Sequence, residues 1–195
     1  MGFLYGVGIK MGLIIEDGVG TGRTVGVTEE NRLKVSAVSY SSEHEVNHDN
    51  GQAYSLGSSL TPTGAGDCFL YIKNDSDTDM IITEFMLNAA SNETITFKIN
   101  DSGTPVGGTA ITAVNRNAGS GNAADITALN GVDITGLSGG SSVMGVFLKG
   151  GESGLRIAPT SSFIIPKNKV FTGYVSTGGI QIKVGMGISF HNAQH

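Results

Sequence analysis

Hydrophobic and polar residues alternate with a period of two over the second half of the chain. In "TITFKIN" (Thr94 to Asn100), Ile95, Phe97 and Ile99 share one side, while Thr96 and Lys98 take the other. That is the pattern of a strand covering a core with one face. "IQIKVGMGISF" continues it without a break from Ile180 to Phe190, with Ile180, Ile182, Val184, Met186, Ile188 and Phe190 on the apolar side. Such a run spans about 35 Å as a strand, enough to cross a whole sandwich. Less regular strands are predicted at Phe69 to Lys73, Met80 to Leu87, Thr109 to Val114, Ser142 to Lys149, Ser162 to Pro166 and Val170 to Thr177. Their connectors are rich in turn residues: "NDSDTD", "NDSGTPVGG", "LSGGSS", "KGGESG" and "STGG". About eight strands joined this way predict an all-β fold, an antiparallel β-sandwich of jelly-roll type, over residues 53–195.

Residues 1–52 read differently. "MGFLYGVGIKMGLII" and "RLKVSAVSY" are apolar, but a glycine hinge separates them and no sandwich-like set of strands follows. Apolar residues without a core of their own need burial elsewhere. The segment is therefore expected to be an extended N-terminal arm and linker. Its expected contacts with a neighbouring subunit or another partner surface are Phe3, Leu4, Tyr5, Ile9, Leu13, Ile14, Ile15, Arg23, Leu33 and Val35. Lys10 interrupts the first apolar run and no basic residue precedes it, so neither a signal peptide nor a membrane span is expected, and synthesis in a cytoplasm is.

Three stretches imitate active sites. "HEVNH" (His44 to His48) has the spacing of a zinc protease, which needs both histidines on one helical turn. Strand periodicity runs almost into it, "DNG" follows as a turn, and Val46 is its one clearly apolar residue. A helix there has no face to bury. The extended protease pattern also wants a histidine where Tyr54 stands. A polar, solvated connector is expected instead, with no catalytic metal. "GVGTGRT" (Gly18 to Thr24) lacks the Gly-Lys that ends a phosphate loop and reads as a hinge. "NDSDTD" (Asn74 to Asp79) offers oxygen ligands, but it lacks an EF-hand's glycine and distant glutamate, and a solvated hairpin is expected.

Composition narrows the classes further. The 195 residues suffice for one sizeable core, and a net charge of −5 with 15% charged residues provides no basic footprint for nucleic acid. Thirty glycines and no tryptophan fit many turns between short strands. Cys68 is the only cysteine, so no intramolecular disulfide can form. It opens the apolar run "CFLYI" and is expected to be a buried small hydrophobe. No catalytic residue, cofactor site or metal site emerges.

"IIEDGVGTGRTVGVTEENRLKVSAVS" (Ile14 to Ser39), then "SSEHEVNHDNGQAYSL" and "FLYIKNDSDTDMIITEF" (Phe69 to Phe85), resembles virion proteins of tailed bacteriophages, in particular the decoration or cement proteins on the outside of the capsid. The likeness covers roughly the first 85 residues and lies in the order of segments. It implies a non-enzymatic structural protein on the outer surface of the virion. The implied partners are the major capsid protein and copies of the chain itself, in a homo-oligomer such as a trimer, with neither nucleic acid nor membrane involved. A tail or fibre module binding a host-surface glycan is the alternative, and a zinc protease a remote one. Sugar sites stack an exposed aromatic on the ring, and here only tyrosine and phenylalanine could serve.

Overall fold

A computed structural model describes residues 46–48, 50–159 and 162–191. The ten expected arm and hinge contacts from Phe3 to Val35 lie outside these residues. Among the described residues twelve strands form two antiparallel sheets: β1 (Ala53–Leu60), β2 (Cys68–Asn74), β3 (Asp79–Ala89), β4 (Glu93–Ile99), β5 (Thr109–Ala110), β6 (Val114–Asn115), β7 (Ile126–Asn130), β8 (Ser141–Leu148), β9 (Leu155–Ile157), β10 (Phe163–Ile165), β11 (Val170–Val175) and β12 (Ile182–His191). The first sheet runs β10-β3-β12-β1-β6, with β9 also on β3, and the second runs β5-β7-β2-β11-β4-β8.

The pairings nest. β4 pairs β8, β3 pairs β9 and β10, β2 pairs β11, and β1 pairs β12. Each pair encloses the one before it, as in a long hairpin folded over on itself, with successive pairs assigned alternately to the two sheets. This is the jelly roll. β9 and β10 follow each other along one side of β3, facing Phe85–Leu87 and Met80–Ile82, and together make one interrupted strand. Residues 100–140 are the tip of the hairpin. They return to add β7 and β5 beside β2, and β6 beside β1.

The nine residues read on the two apolar faces take their places in the core: Ile95, Phe97, Ile182, Val184, Met186, Ile188 and Phe190 are buried, and the partly buried Ile99 and Ile180 pack against them. Four rings join the sheets at the centre. Phe85 of β3 lies 4.9 Å from Phe97 of β4 and 5.8 Å from Phe171 of β11, and Phe163 of β10 is 6.0 Å from Phe171 (centroid distances). Gly173 of β11 faces this layer because a Cβ there would come within 2.7 Å of the fully buried Phe69 ring.

Several expectations need correction. Thr109 to Val114 is not one strand: β5 and β6 belong to different sheets, and residues 111–113 cross between them. "NDSDTD" is not a hairpin within a sheet, because it carries the chain from β2 in the second sheet to β3 in the first. β1, β7 and β9 were not expected. Their sequences, "AYSLGSSL", "ITALN" and "LRI", are short or diluted with small polar residues.

Candidate functional site

The connector that carries "HEVNH" differs from expectation where it is described. Val46–His48 is helical and Val46 is buried, so the segment is not fully solvated. Three asparagines of the hairpin tip hold it: the Asn117 side-chain amide donates to the Asn47 carbonyl at 3.1 Å, Asn122 to the Asn50 carbonyl at 2.8 Å, and Asn115 to the Gly51 carbonyl at 2.8 Å. Gly51 sits at φ +57°, in the left-handed region, where a Cβ would also collide with Ser120. His44 and Glu45 lie outside the described residues, as does Gly18 to Thr24. Among the described residues no three His, Cys, Asp or Glu side chains converge as a metal site would require.

Two of the three carboxylates of "NDSDTD", Asp75 and Asp77, are engaged with cations. Asp75 accepts from Lys73 at 2.5 Å and from Thr127 at 2.6 Å, and Asp77 pairs with Lys167. Asn74 organises the turn from inside. Fully buried, it donates to the carbonyls of Thr78 and Ile165 at 2.8 Å each, and its Oδ1 accepts from the Ser76 N–H and hydroxyl.

Two buried acids hold loops in place. Glu93, at the start of β4, accepts through Oε1 from the N–H groups of Thr94, Ser176 and Thr177 and from the Ser176 hydroxyl. Its Oε2 accepts from the Gly178 N–H. Burial acts to raise the Glu93 pKa, but these hydrogen bonds outweigh it and hold the carboxyl below its ordinary value. Asp101 accepts from the Thr172 and Tyr174 hydroxyls and, at 2.7 Å, from the Gly140 N–H. It thereby ties both ends of the hairpin tip, residues 101 and 140, to β11. Burial and then the Asp101 contact push the Tyr174 phenol up, and Lys98 Nζ lies 4.2 Å from the centre of its ring.

Cys68 is buried beside this cluster on the outer face of the second sheet, with Tyr71 and Val170, under Ile134 of the hairpin tip. Burial pushes its thiol up to about 11. That suits a packing residue and opposes a nucleophile.

On the outer face of the first sheet, Arg116 reaches from beyond β6 across β1 and β12. It donates to the Ser55 hydroxyl at 2.9 Å and to Glu84 of β3 at 2.5 Å, and Arg156 of β9 meets the other Glu84 oxygen at 2.8 Å. A side chain at Gly187 of β12 would collide with the Arg116 guanidinium, so the glycine leaves the path across the sheet open. Burial acts to raise the Glu84 pKa, and hydrogen bonds from the two arginines bring it below its ordinary value.

The treatment of the sheet edges is uneven. The outermost strands β5 and β6 are two residues long, and β9 and β10 three each, whereas β8 at the far edge of the second sheet has eight. β8, "SSVMGVFL", contains no charge and no proline, the usual protections of an edge. Phe147 stands 63% exposed on it, and Gly145 has open space at its Cβ position. At the end of β8 a cleft of about 300 Å³ opens between the sheets, lined by Leu87 and Ala89 of β3, Phe147 and Leu148 of β8, and Leu155 of β9. The Lys149–Glu152 ion pair, 2.7 Å, lies at this cleft.

Phe147 was not singled out by sequence. The signal was present in β8, where Val146, Phe147 and Leu148 are apolar in succession, so that one of the two faces must carry an apolar residue away from the core. Compared with protein-family models, curated proteins and solved structures, the chain finds no match in any of the three.

Proposed function

We propose that the chain is a structural decoration protein of a tailed-phage capsid, which binds the outside of the lattice and stabilises it by bridging neighbouring capsomers. The observation that carries this reading is the long, uncharged and apolar edge at β8. Such an edge is a docking surface for another chain, and a body joined to an apolar arm can then link copies into a network. Many weak contacts of that kind act together through avidity. The buried carboxylates of Glu93 and Asp101, which would be the natural acids or bases of an enzyme, are engaged with loop N–H groups and hydroxyls of the chain's own fold. The resemblance of the first 85 residues to virion proteins supports a location on the virion.

The experiment mixes the purified full chain with undecorated capsids, sediments them, and measures bound chain and the temperature at which the shells release DNA. Saturable binding and a higher release temperature are expected, both weakened by Ile9→Asp or Leu13→Asp in the arm. Immunogold label on tail fibres, or binding to host-surface glycan without binding to capsids, would instead favour the fibre module. Stoichiometric zinc that survives chelator washing, together with proteolysis abolished by Glu45→Ala, would overturn the non-enzymatic reading.

A further inference from the structure

We infer that β8 is an acceptor edge and that its occupant is the segment Phe3 to Ile15 of a second copy of the chain, added as a further strand of the second sheet. This deepens the reading above by naming the edge and the strand that meet. Counted with a period of two, the odd positions of the segment are Phe3, Tyr5, Val7, Ile9, Met11, Leu13 and Ile15, all apolar. Of the even positions, Gly6, Gly8, Lys10 and Gly12 in the middle of the segment carry three glycines and one cation, while Leu4 and Ile14 at its two ends are apolar. A strand with one apolar face and a second face that is nearly bare from Gly6 to Gly12 is what this edge can accommodate.

The apolar face would continue the inner side of the second sheet. There Val146 and Leu148 are buried, and Leu148 lines the cleft that Leu87 and Leu155 complete at the end of β8. The bare face would lie outward, beside Gly145 and Phe147, where an exposed ring can cover the glycines of a neighbouring strand. Length is sufficient as well. Thirteen residues extend about 40 Å, against roughly 27 Å for the eight of β8. The thirty residues between Ile15 and Val46 reach up to about 100 Å, far enough to leave one copy for another.

The test uses the full chain, free of capsids, so that its failure stays separate from failure to bind a shell. Gly6→Cys, Gly8→Cys or Gly12→Cys chains are mixed with Gly145→Cys chains under mild oxidation, and disulfide-linked pairs are resolved by mass. Gly57→Cys on β1, which also has open space around its Cβ position, is the control acceptor. Buried Cys68 stays out of the reaction. A mixed disulfide between Gly145→Cys and at least one arm position is expected, with none to Gly57→Cys. It should be lost when Phe147→Lys is added to the acceptor, a change at an exposed position that leaves the unfolding transition in place. No link at any arm position, equal linking to Gly57→Cys, indifference to Phe147→Lys, or closure only within one chain when both cysteines are on it would each overturn the inference.

Discussion

Replacing Glu93 probes how a buried acid holds the two sheets together. Its carboxylate, 1% exposed, collects four backbone N–H groups and one hydroxyl at 2.7 to 3.1 Å. Three of those N–H groups belong to Ser176, Thr177 and Gly178, in the turn that carries the chain from β11 in the second sheet to β12 in the first. Glu93→Gln keeps the shape and one oxygen, but it removes the charge and sets an NH2 group against one of the donors. A hydrogen bond to a charged group contributes about 1.5 to 3 kcal/mol, so a loss of about 2 kcal/mol is expected for Gln. Glu93→Ala leaves every donor without its acceptor and should cost more, about 3 to 5 kcal/mol after water reaches the outer ones. For a body of this size 2 kcal/mol lowers Tm by roughly 4 to 8 °C. The pH dependence identifies the charge as the cause. The folded pKa lies below the ordinary value of 4.5. The contribution is therefore fully present above about pH 4.5 and is lost as pH falls through the folded pKa. Urea unfolding of wild type and Glu93→Gln at pH 7 and again at pH 3 should show a gap that narrows in acid. A gap of the same size at both pH values would refute the argument, as would a Gln variant as stable as wild type at pH 7.

Other outcomes follow from the core and its packing. Phe97→Ala, which removes one ring of the four-ring cluster, should cost about 3 to 5 kcal/mol in urea unfolding, whereas Lys183→Ala on the outer face of β12 should stay within about 0.5 kcal/mol. Gly173→Ala places a methyl against the Phe69 ring and should destabilise by about 1 to 3 kcal/mol, partly relieved when Phe69→Leu is added. The thiol of Cys68, held up to about 11 by burial, should resist iodoacetamide at pH 7.5 in the folded chain and react promptly in urea. Alkylation of the folded chain at the rate of a free thiol would show that Cys68 is reached from solvent.

What could be read from sequence was local and periodic. β4 and β12 each cover the core with one face, so residues two apart share an environment and the alternation from Ile182 to Phe190 is visible without knowing what the strand pairs with. The turn residues between the runs made an antiparallel sandwich the expected result. Where both faces of a strand are covered the alternation disappears. β2 reads as an unbroken apolar run because its inner face meets the other sheet while Cys68 and Tyr71 on its outer face lie under Ile134, more than sixty residues later in the chain. The acids that hold loops in place were equally hidden: Glu93 meets its turn 83 to 85 residues downstream, and Asp101 meets Tyr174 73 residues downstream. Neither has a spacing that could reveal it, since a carboxylate can collect N–H donors from any segment that folding brings within 3 Å. The same holds for the edges. Whether a strand ends its sheet depends on what pairs beside it, and only the return of residues 100–140 to the β1 and β2 side left β8 at the outside of the second sheet, with Phe147 exposed on it.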